Sequence, residues 1–376
     1  MQQIPDSIPI MHTPRSVDLE ITPRCNLRCK YCYFFDSREM KYNELSTGEW
    51  LEFIDELGQC AVMDVCLAGG EPFIRADLPE LLAAIVKNRM RFAILSNGTL
   101  INDQLAGFIH KTKRCDYVQV SIDGSCAEVH ESGRGRGSFA RAVQGIKILQ
   151  KHEIQVTVRV TIHRYNVHDL ENTAHFLLEE LGLPGFSTNA AGYFGSCRKN
   201  SADLLLRLED RQTAMNTLLQ LEQKYCGRIT AQAGPLADAH FWTRMEKARL
   251  DRAPQFDNGG NLTGCGCPTN KIAVRSDGVM VPCTMLSHME LGKINQDSLQ
   301  EVWQKNSALQ NLRGRRSISL ENFAECAGCK YNPYCTGSCP GSAFTMTGHV
   351  NQPSPDACLQ KFLAEGGKLP IFTESS

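Results

Sequence analysis

Nothing in this 376-residue chain is long and apolar enough to cross a membrane, and its first twenty residues hold no apolar core of the signal-peptide kind. Charge of one sign is missing too. Forty Lys and Arg stand against 41 Asp and Glu, so no basic field announces nucleic acid or anionic lipid as a partner. Repeats at solenoid spacing and low-complexity tracts are absent. These absences predict a cytoplasmic protein of ordinary globular character that binds neither nucleic acid nor membrane. Its length suits two domains, or one barrel with an appendage. Cysteine, by contrast, is abundant. Seventeen would be odd as disulfides in a compartment that keeps thiols reduced, and their clustering points to metal binding.

Residues 1–14 carry three prolines and no periodicity, and read as a lead-in arm. From Val17 a β-then-α alternation begins. Strands are expected at Val17–Ile21, Asp64–Leu67, Phe92–Leu95, Tyr117–Ile122, Gln155–Thr161 and Gly185–Thr188. Helices fit between them: one opened by the capping box Ser46-x-x-Glu49 and running to Gln59, then Leu78–Lys87, Ile101–His110, Ser138–Gln150 and Asp169–Leu181. Strand–helix units at such spacing imply a parallel sheet with right-handed crossovers, here an α/β fold of the open (β/α)6, TIM-like partial-barrel type. Its chemistry is expected at the C-terminal ends of the strands. After a helix near Arg211–Tyr225 the pattern breaks. The expected division is an arm (1–14), a barrel (15–229), a bridging region (230–262), a cysteine-rich extension (263–366) and a tail (367–376).

Cys25, Cys29 and Cys32 stand in the spacing C-x3-C-x2-C, followed by Gly69-Gly70-Glu71-Pro72. Three thiolates suit three corners of a [4Fe–4S] cube and leave one iron open, whereas a zinc site usually closes with four ligands. These motifs resemble those of the radical S-adenosylmethionine (SAM) family. The resemblance implies that SAM chelates the open iron and that Gly69, Gly70, Glu71 and Pro72 line its amino group.

A second constellation lies near the C-terminus. Cys326-x2-Cys329-x5-Cys335-x3-Cys339 is preceded by Cys265, Cys267 and Cys283 and followed by Cys358. Eight thiolates satisfy two fully ligated cubes or two four-cysteine zinc sites, and spacing alone does not choose between them. The order of the cysteines, with Gly278 five residues before Cys283, is similar to the SPASM extension of radical SAM enzymes. That likeness implies one auxiliary cluster on Cys265, Cys267, Cys283 and Cys339 and another on Cys326, Cys329, Cys335 and Cys358, making three [4Fe–4S] clusters in all. Cys265 and Cys267 are a closer pair than some relatives show; with one of them unengaged, the inner cluster would keep an open site. The other six cysteines, Cys60, Cys66, Cys115, Cys126, Cys197 and Cys226, have no ligand spacing and are expected as small buried hydrophobes. Cys197 lies just past the sixth strand, near the expected barrel mouth.

Three further segments resemble the family's SAM contacts. Ser96 and Asn97 end the third strand. Ser121 and Asp123 end the fourth, where a hydroxyl and a carboxylate would meet a ribose. His130-Glu131-x-x-Arg134 places a guanidinium for the SAM carboxylate, with Arg136 as a solvated neighbour. His163 and His168, just after the fifth strand, read as surface or capping residues.

The resemblance implies cleavage of SAM to a 5′-deoxyadenosyl radical that takes a hydrogen atom from the substrate, with electrons supplied by a donor such as flavodoxin or ferredoxin. The expected substrate is a ribosomally made precursor peptide. Thr284 follows Cys283 where sulfatase-maturing relatives carry an Asp, which disfavours formylglycine formation. With no winged-helix domain ahead of Cys25, leader recognition is expected from a separate small protein or from the barrel and bridge. Within the peptide group the overall look resembles the maturases of nitrile-hydratase-type leaders, including the spliceases, which excise a tyramine unit and leave an α-keto-β-amide; epimerisation, thioether and carbon–carbon cross-linking stay open. Two rivals remain: a SPASM oxidoreductase acting on a small molecule such as a tetrapyrrole, and a non-enzymatic metal-binding interaction module.

Overall fold

The structure is a computed structural model and describes residues 10–35 and 43–370; most of the arm and of the tail lies outside them. The alternation read from the sequence appears as β1 (Ser16–Thr22), α1 (Thr47–Gln59), β2 (Asp64–Gly69), α2 (Leu78–Lys87), β3 (Arg91–Ser96), α3 (Asp103–Thr112), β4 (Cys115–Ser121), α4 (Ala127–Arg134), α5 (Ser138–Lys151), β5 (Val156–Ile162), α6 (Leu170–His175) and β6 (Phe186–Ala190). α6 continues through a wider turn, Phe176–Glu180. The capping box at α1 is formed: the Ser46 hydroxyl accepts from the Glu49 amide at 3.3 Å, and the Glu49 carboxylate accepts from the Ser46 amide at 2.8 Å.

β1 to β6 are parallel and adjacent in chain order, as expected of a partial barrel. The sheet does not stop there. After a short α7 (Ser201–Leu204) and α8 (Leu208–Lys224), a seventh parallel strand, β7 (Ile229–Ala231), pairs with β6, so the expected boundary at 229 falls inside a strand. Beyond the other edge, β8 (Lys271–Val274) pairs in parallel with β1, and β9 (Val279–Val281) and β10 (Gly292–Lys293) follow antiparallel. The result is a ten-stranded sheet in the order β10-β9-β8-β1-β2-β3-β4-β5-β6-β7. Strands of two to four residues carry too little alternation to be read from sequence, and they form because a neighbouring edge supplies their partners.

The bridging region is built around one helix, α9 (Pro235–Leu250). It buries Trp242 and Met245 against Tyr331, Tyr334 and Phe362 of the C-terminal region, a core separate from the barrel's. Each fully buried large apolar side chain contributes about 1.5–3 kcal/mol, so this small core fastens the cysteine-rich extension to the barrel. Among the described residues no helix is long and apolar enough to span a membrane.

Candidate active site

The loop after β1 carries Cys25, Cys29 and Cys32, and three neighbours hold it. The Gly70 amide donates to the Thr22 carbonyl and the Glu71 amide to the Arg24 carbonyl, both at 2.8 Å. A Cβ at Gly70 would stand 2.1 Å from the Arg24 oxygen, and Gly69 has φ +115°, so the pair is glycine because backbone meets backbone there. On a second side the Lys30 amide donates to the Gly133 carbonyl of α4. On the third, the loop after β6 closes over it: the Ser196 amide donates to the Cys32 carbonyl at 2.9 Å, the Ser196 hydroxyl to the Phe35 carbonyl at 2.7 Å, and the Asn200 amide group to the Lys30 carbonyl at 2.9 Å. The same loop reaches the C-terminal extension through Arg198, which donates to Thr345 at 2.7 Å. Cys197, expected near the barrel mouth, is fully buried against Tyr31, Ala191 and Leu204.

Glu71 is fully buried and accepts from the Phe73 amide (3.1 Å), the Ser96 hydroxyl (2.8 Å) and the Asn97 amide (2.7 Å). Burial nevertheless pushes its carboxyl up to about 7. Asn97 donates to Asn26 at 2.9 Å and lies 3.8 Å from the Cys25 sulfur. Glu71, Ser96 and Asn97 therefore converge beside the cysteine loop, as Gly69, Gly70 and Pro72 do through the chain that carries Glu71.

Asp123 stands differently from its expected place. It is fully buried, and one carboxylate oxygen takes both the Tyr31 hydroxyl and the Arg134 Nε while the other accepts from the Thr161 amide at 2.7 Å. No carboxylate surface remains for a ribose, so its role is corrected to buried counter-ion of Arg134. Burial opposes its charge, but Arg134 and its neighbours hold it below the ordinary carboxylate range. Among the described residues the terminal nitrogens of Arg134 make no hydrogen bond, which leaves them for a ligand. His163 is corrected in part: it is fully buried rather than at the surface, its ring 4.9 Å from that of Tyr31 and pushed down to about 4 by burial, while its Nδ1 does cap the turn by accepting from the Tyr165 amide at 3.2 Å. His130 is likewise buried, lowered to about 4, and accepts from the Asp123 amide. Arg136 is exposed, as expected. Tyr31, the hub of this triad, was missed; its only signal was an aromatic residue inside the cysteine motif.

The C-terminal cysteines gather in two sets. The thiols of Cys265 and Cys267, and of Cys267 and Cys283, lie within hydrogen-bonding reach, and Cys339 acts electrostatically on Cys265. Cys326, Cys329, Cys335 and Cys358 line one cavity with Tyr331 and Leu359. Among the described residues no three Cys, His, Asp or Glu side chains converge on a single-ion position. Donor chemistry fits a cluster. Backbone amides donate to the sulfurs of Cys25, Cys265, Cys335 and Cys358 at 3.4–3.5 Å. Burial pushes the Cys25 thiol up to about 11 and those of Cys29 and Cys326 up to about 12, so ionised sulfur there needs a metal's positive charge. Beside Cys339 and Cys265, the buried Arg315 guanidinium has two terminal nitrogens without partners among the described residues. Its counter-charge would be a thiolate-rich cluster. Of the six remaining cysteines, Cys126 and Cys226 are exposed, contrary to expectation, because both sit at helix ends.

The inner face of the sheet forms a lumen beneath the cysteine loop. Along β5, Val156, Val158, Val160 and Ile162 are buried under the helices while Thr157, Arg159 and Thr161 are only half-buried. Pairing carries that face around the sheet: Asp18, Cys66, Ala93 and Tyr117 stand in one row, and Ser121, Arg159 and Ser187 in another. The sheet curls, since Tyr117 on β4 feels both Asp18 on β1 and Lys271 on β8. Polar residues dominate the lining, with Asp18, Glu20, Gln119, Arg159, Asn189 and Lys271 among them. Ser121 faces this lumen at the end of β4. The signal overlooked in the sequence was the polar half of each strand's alternation.

The radical SAM superfamily matches residues 19–177 and the SPASM iron–sulfur cluster-binding domain matches residues 265–330. The chain is 29% identical to Fe-coproporphyrin III synthase of Methanosarcina barkeri, over 91% of this chain and 87% of that protein. It is 25% identical to PqqA peptide cyclase of Granulibacter bethesdensis, over 92% and 87%. Streptococcus suis SuiB, solved with its precursor peptide SuiA, shares the fold with a TM-score of 0.70 at 16% identity, over 93% of this chain and 77% of SuiB. The chain belongs to the radical SAM superfamily and is an enzyme of that superfamily carrying a SPASM iron–sulfur domain.

Proposed function

We propose that this enzyme modifies a ribosomally made precursor peptide held in the barrel lumen. The polar lining of that lumen carries the reading. A peptide presents alternating N–H and C=O groups, which carboxylates, amides, hydroxyls and a guanidinium can satisfy. The flat face of a tetrapyrrole ring would instead favour broad apolar walls, with polar groups only at its propionate edge. The peptide cyclase among the relatives and the peptide-bound SuiB support the same direction. In this reading Cys25, Cys29 and Cys32 hold the SAM-binding cluster. Glu71, with Ser96 and Asn97 supporting it, takes the SAM amino group, and Arg134 takes the SAM carboxylate through its free terminal nitrogens. Cys265, Cys267, Cys283 and Cys339 hold one auxiliary cluster, and Cys326, Cys329, Cys335 and Cys358 the other. SAM, when bound and reduced, supplies a radical that abstracts hydrogen. The protein orients the peptide, excludes water and bridges the two halves of the site through the loop after β6.

We assign the finer reaction to backbone splicing with loss of a tyramine unit. We also place the enzyme in the cytoplasm, served by a flavodoxin- or ferredoxin-type donor and a separate leader-binding protein. The test is anaerobic incubation with candidate short precursor peptides, including any encoded beside the gene, read by mass spectrometry. Loss of a tyramine unit is expected; an unchanged peptide alongside substrate-dependent SAM cleavage on a porphyrin would overturn the reading. That second outcome is a live alternative because Fe-coproporphyrin III synthase matches over nearly the whole chain.

A further inference from the structure

Arg159 stands on the lumen face of β5, in register with Ser121 on β4 and Ser187 on β6. Its Nε is sealed from solvent and has no partner among the described residues, while the side chain as a whole is half-buried. Among the described residues no carboxylate pairs with it, and the neighbour that acts on it is the phenol of Tyr117. Other buried arginines around the barrel are matched: Arg134 with Asp123, and Arg75 with Asp77 and Glu44. The lumen also holds an acid that could have served, but Asp18 is engaged by Lys271 at 3.0 Å. On β1, Glu20 is 4% exposed and makes no hydrogen bond among the described residues. Burial pushes it up to about 8, against the pull of Arg275.

A guanidinium Nε sealed from water without a partner is costly, and a buried carboxyl whose pKa is held above neutral pH keeps its proton instead of its charge. Here Arg159 and Glu20 face the same lumen, on strands separated by three others, and do not pair with each other. A ligand that spans them satisfies both. The planar fork of an arginine matches a carboxylate in two parallel N–H···O bonds, and Glu20 matches an N–H donor. We infer that Arg159 is the substrate-recognition residue of the lumen, binding a carboxylate of the substrate while Glu20 takes an N–H from the same segment. The source of that carboxylate as an acidic peptide side chain rests on the function proposed above; recognition of a carboxylate does not.

The test uses the reconstituted full-length holoenzyme under anaerobic conditions. Phenylglyoxal modifies unpaired guanidinium groups, and mass spectrometry maps the modified arginines. Arg159 should react faster than Arg134 or Arg75. A blocked glutamate-containing peptide should slow that reaction about tenfold or more, and the matched glutamine peptide should not, since a charge-assisted pair is the difference between them. The same two peptides, fluorescently labelled, should bind with a comparable difference in Kd to wild type and with none to Arg159→Gln, whose cluster absorbance reports that it is folded. Arg159→Lys should recover part of the preference. Protection by a porphyrin bearing propionates, but not by its propionate ester, would keep the carboxylate assignment and remove the peptide source. Protection by SAM alone, failure of Arg159 to react, or equal effects of the glutamate and glutamine peptides would each overturn the inference.

Discussion

Arg134→Ala removes one half of a buried ion pair. Asp123 has no exposed surface and Arg134 is 8% exposed, so the surviving carboxylate cannot be rescued by water. Taking one partner from such a pair costs about 3–5 kcal/mol. The Tyr31 hydroxyl and the Thr161 amide still reach Asp123, which puts the expectation near the lower end, at about 3 kcal/mol. For a protein of this size that is a fall of about 5 °C or more in the unfolding midpoint. The exposed Arg136→Ala should stay within about 0.5 kcal/mol of wild type. Replacing both Asp123 and Arg134 by leucine should recover part of the loss, because no charge is then stranded, although Tyr31 and the Thr161 amide lose their acceptor. The pH dependence has a definite sign. The carboxyl of Asp123 is held below its ordinary value in the folded protein, so its stabilisation is present above the unfolded value of about 3.9 and is lost as pH falls through the lower folded one. Asp123→Asn should flatten that acid limb. The assay is thermal or denaturant unfolding of reconstituted protein from pH 3 to 8, with SAM affinity measured alongside. An Arg134→Ala variant that unfolds with wild type refutes the buried pair, whatever happens to SAM binding.

Anaerobic reconstitution should yield about twelve irons per chain, because eleven grouped cysteines and one SAM-ligated corner satisfy three cubes; bound zinc with only about four irons would remove the auxiliary clusters. Replacing Cys25, Cys29 and Cys32 with alanine should abolish 5′-deoxyadenosine formation under strong reductant. A Cys326→Ala/Cys329→Ala variant should retain some of it yet form no modified product, with circular dichroism checking the fold first. Arg315→Gln should move one auxiliary reduction potential negative, because a buried cation beside Cys339 and Cys265 favours the more negative, reduced form of a cluster held there. A redox titration followed by paramagnetic resonance reads that shift, and an unchanged potential would separate Arg315 from the cluster.

Much of this protein is legible along the chain. The order of six strands and their helices follows from local alternation and capping, as at Ser46 and Glu49, and these depend only on residues a few positions apart. The cysteine groupings follow from spacing and resemblance, and the fold brings the same fours together. Other features depend on contacts between distant segments and had no local signal. The strand at Lys271–Val274 exists because the exposed edge of β1 accepts it. Asp123 meets Arg134 and Tyr31 across 11 and 92 residues, and that closure turned an expected ribose ligand into a buried counter-ion. His163 became an interior residue because α4 and Tyr31 close over it. The charges of the lumen show the same division. Alternation alone placed Glu20 and Arg159 on one face of their strands, but only the curl of the sheet aimed that face inward and determined which charges would find partners. Pairing energy falls off over a few ångströms, and only the folded chain sets those distances.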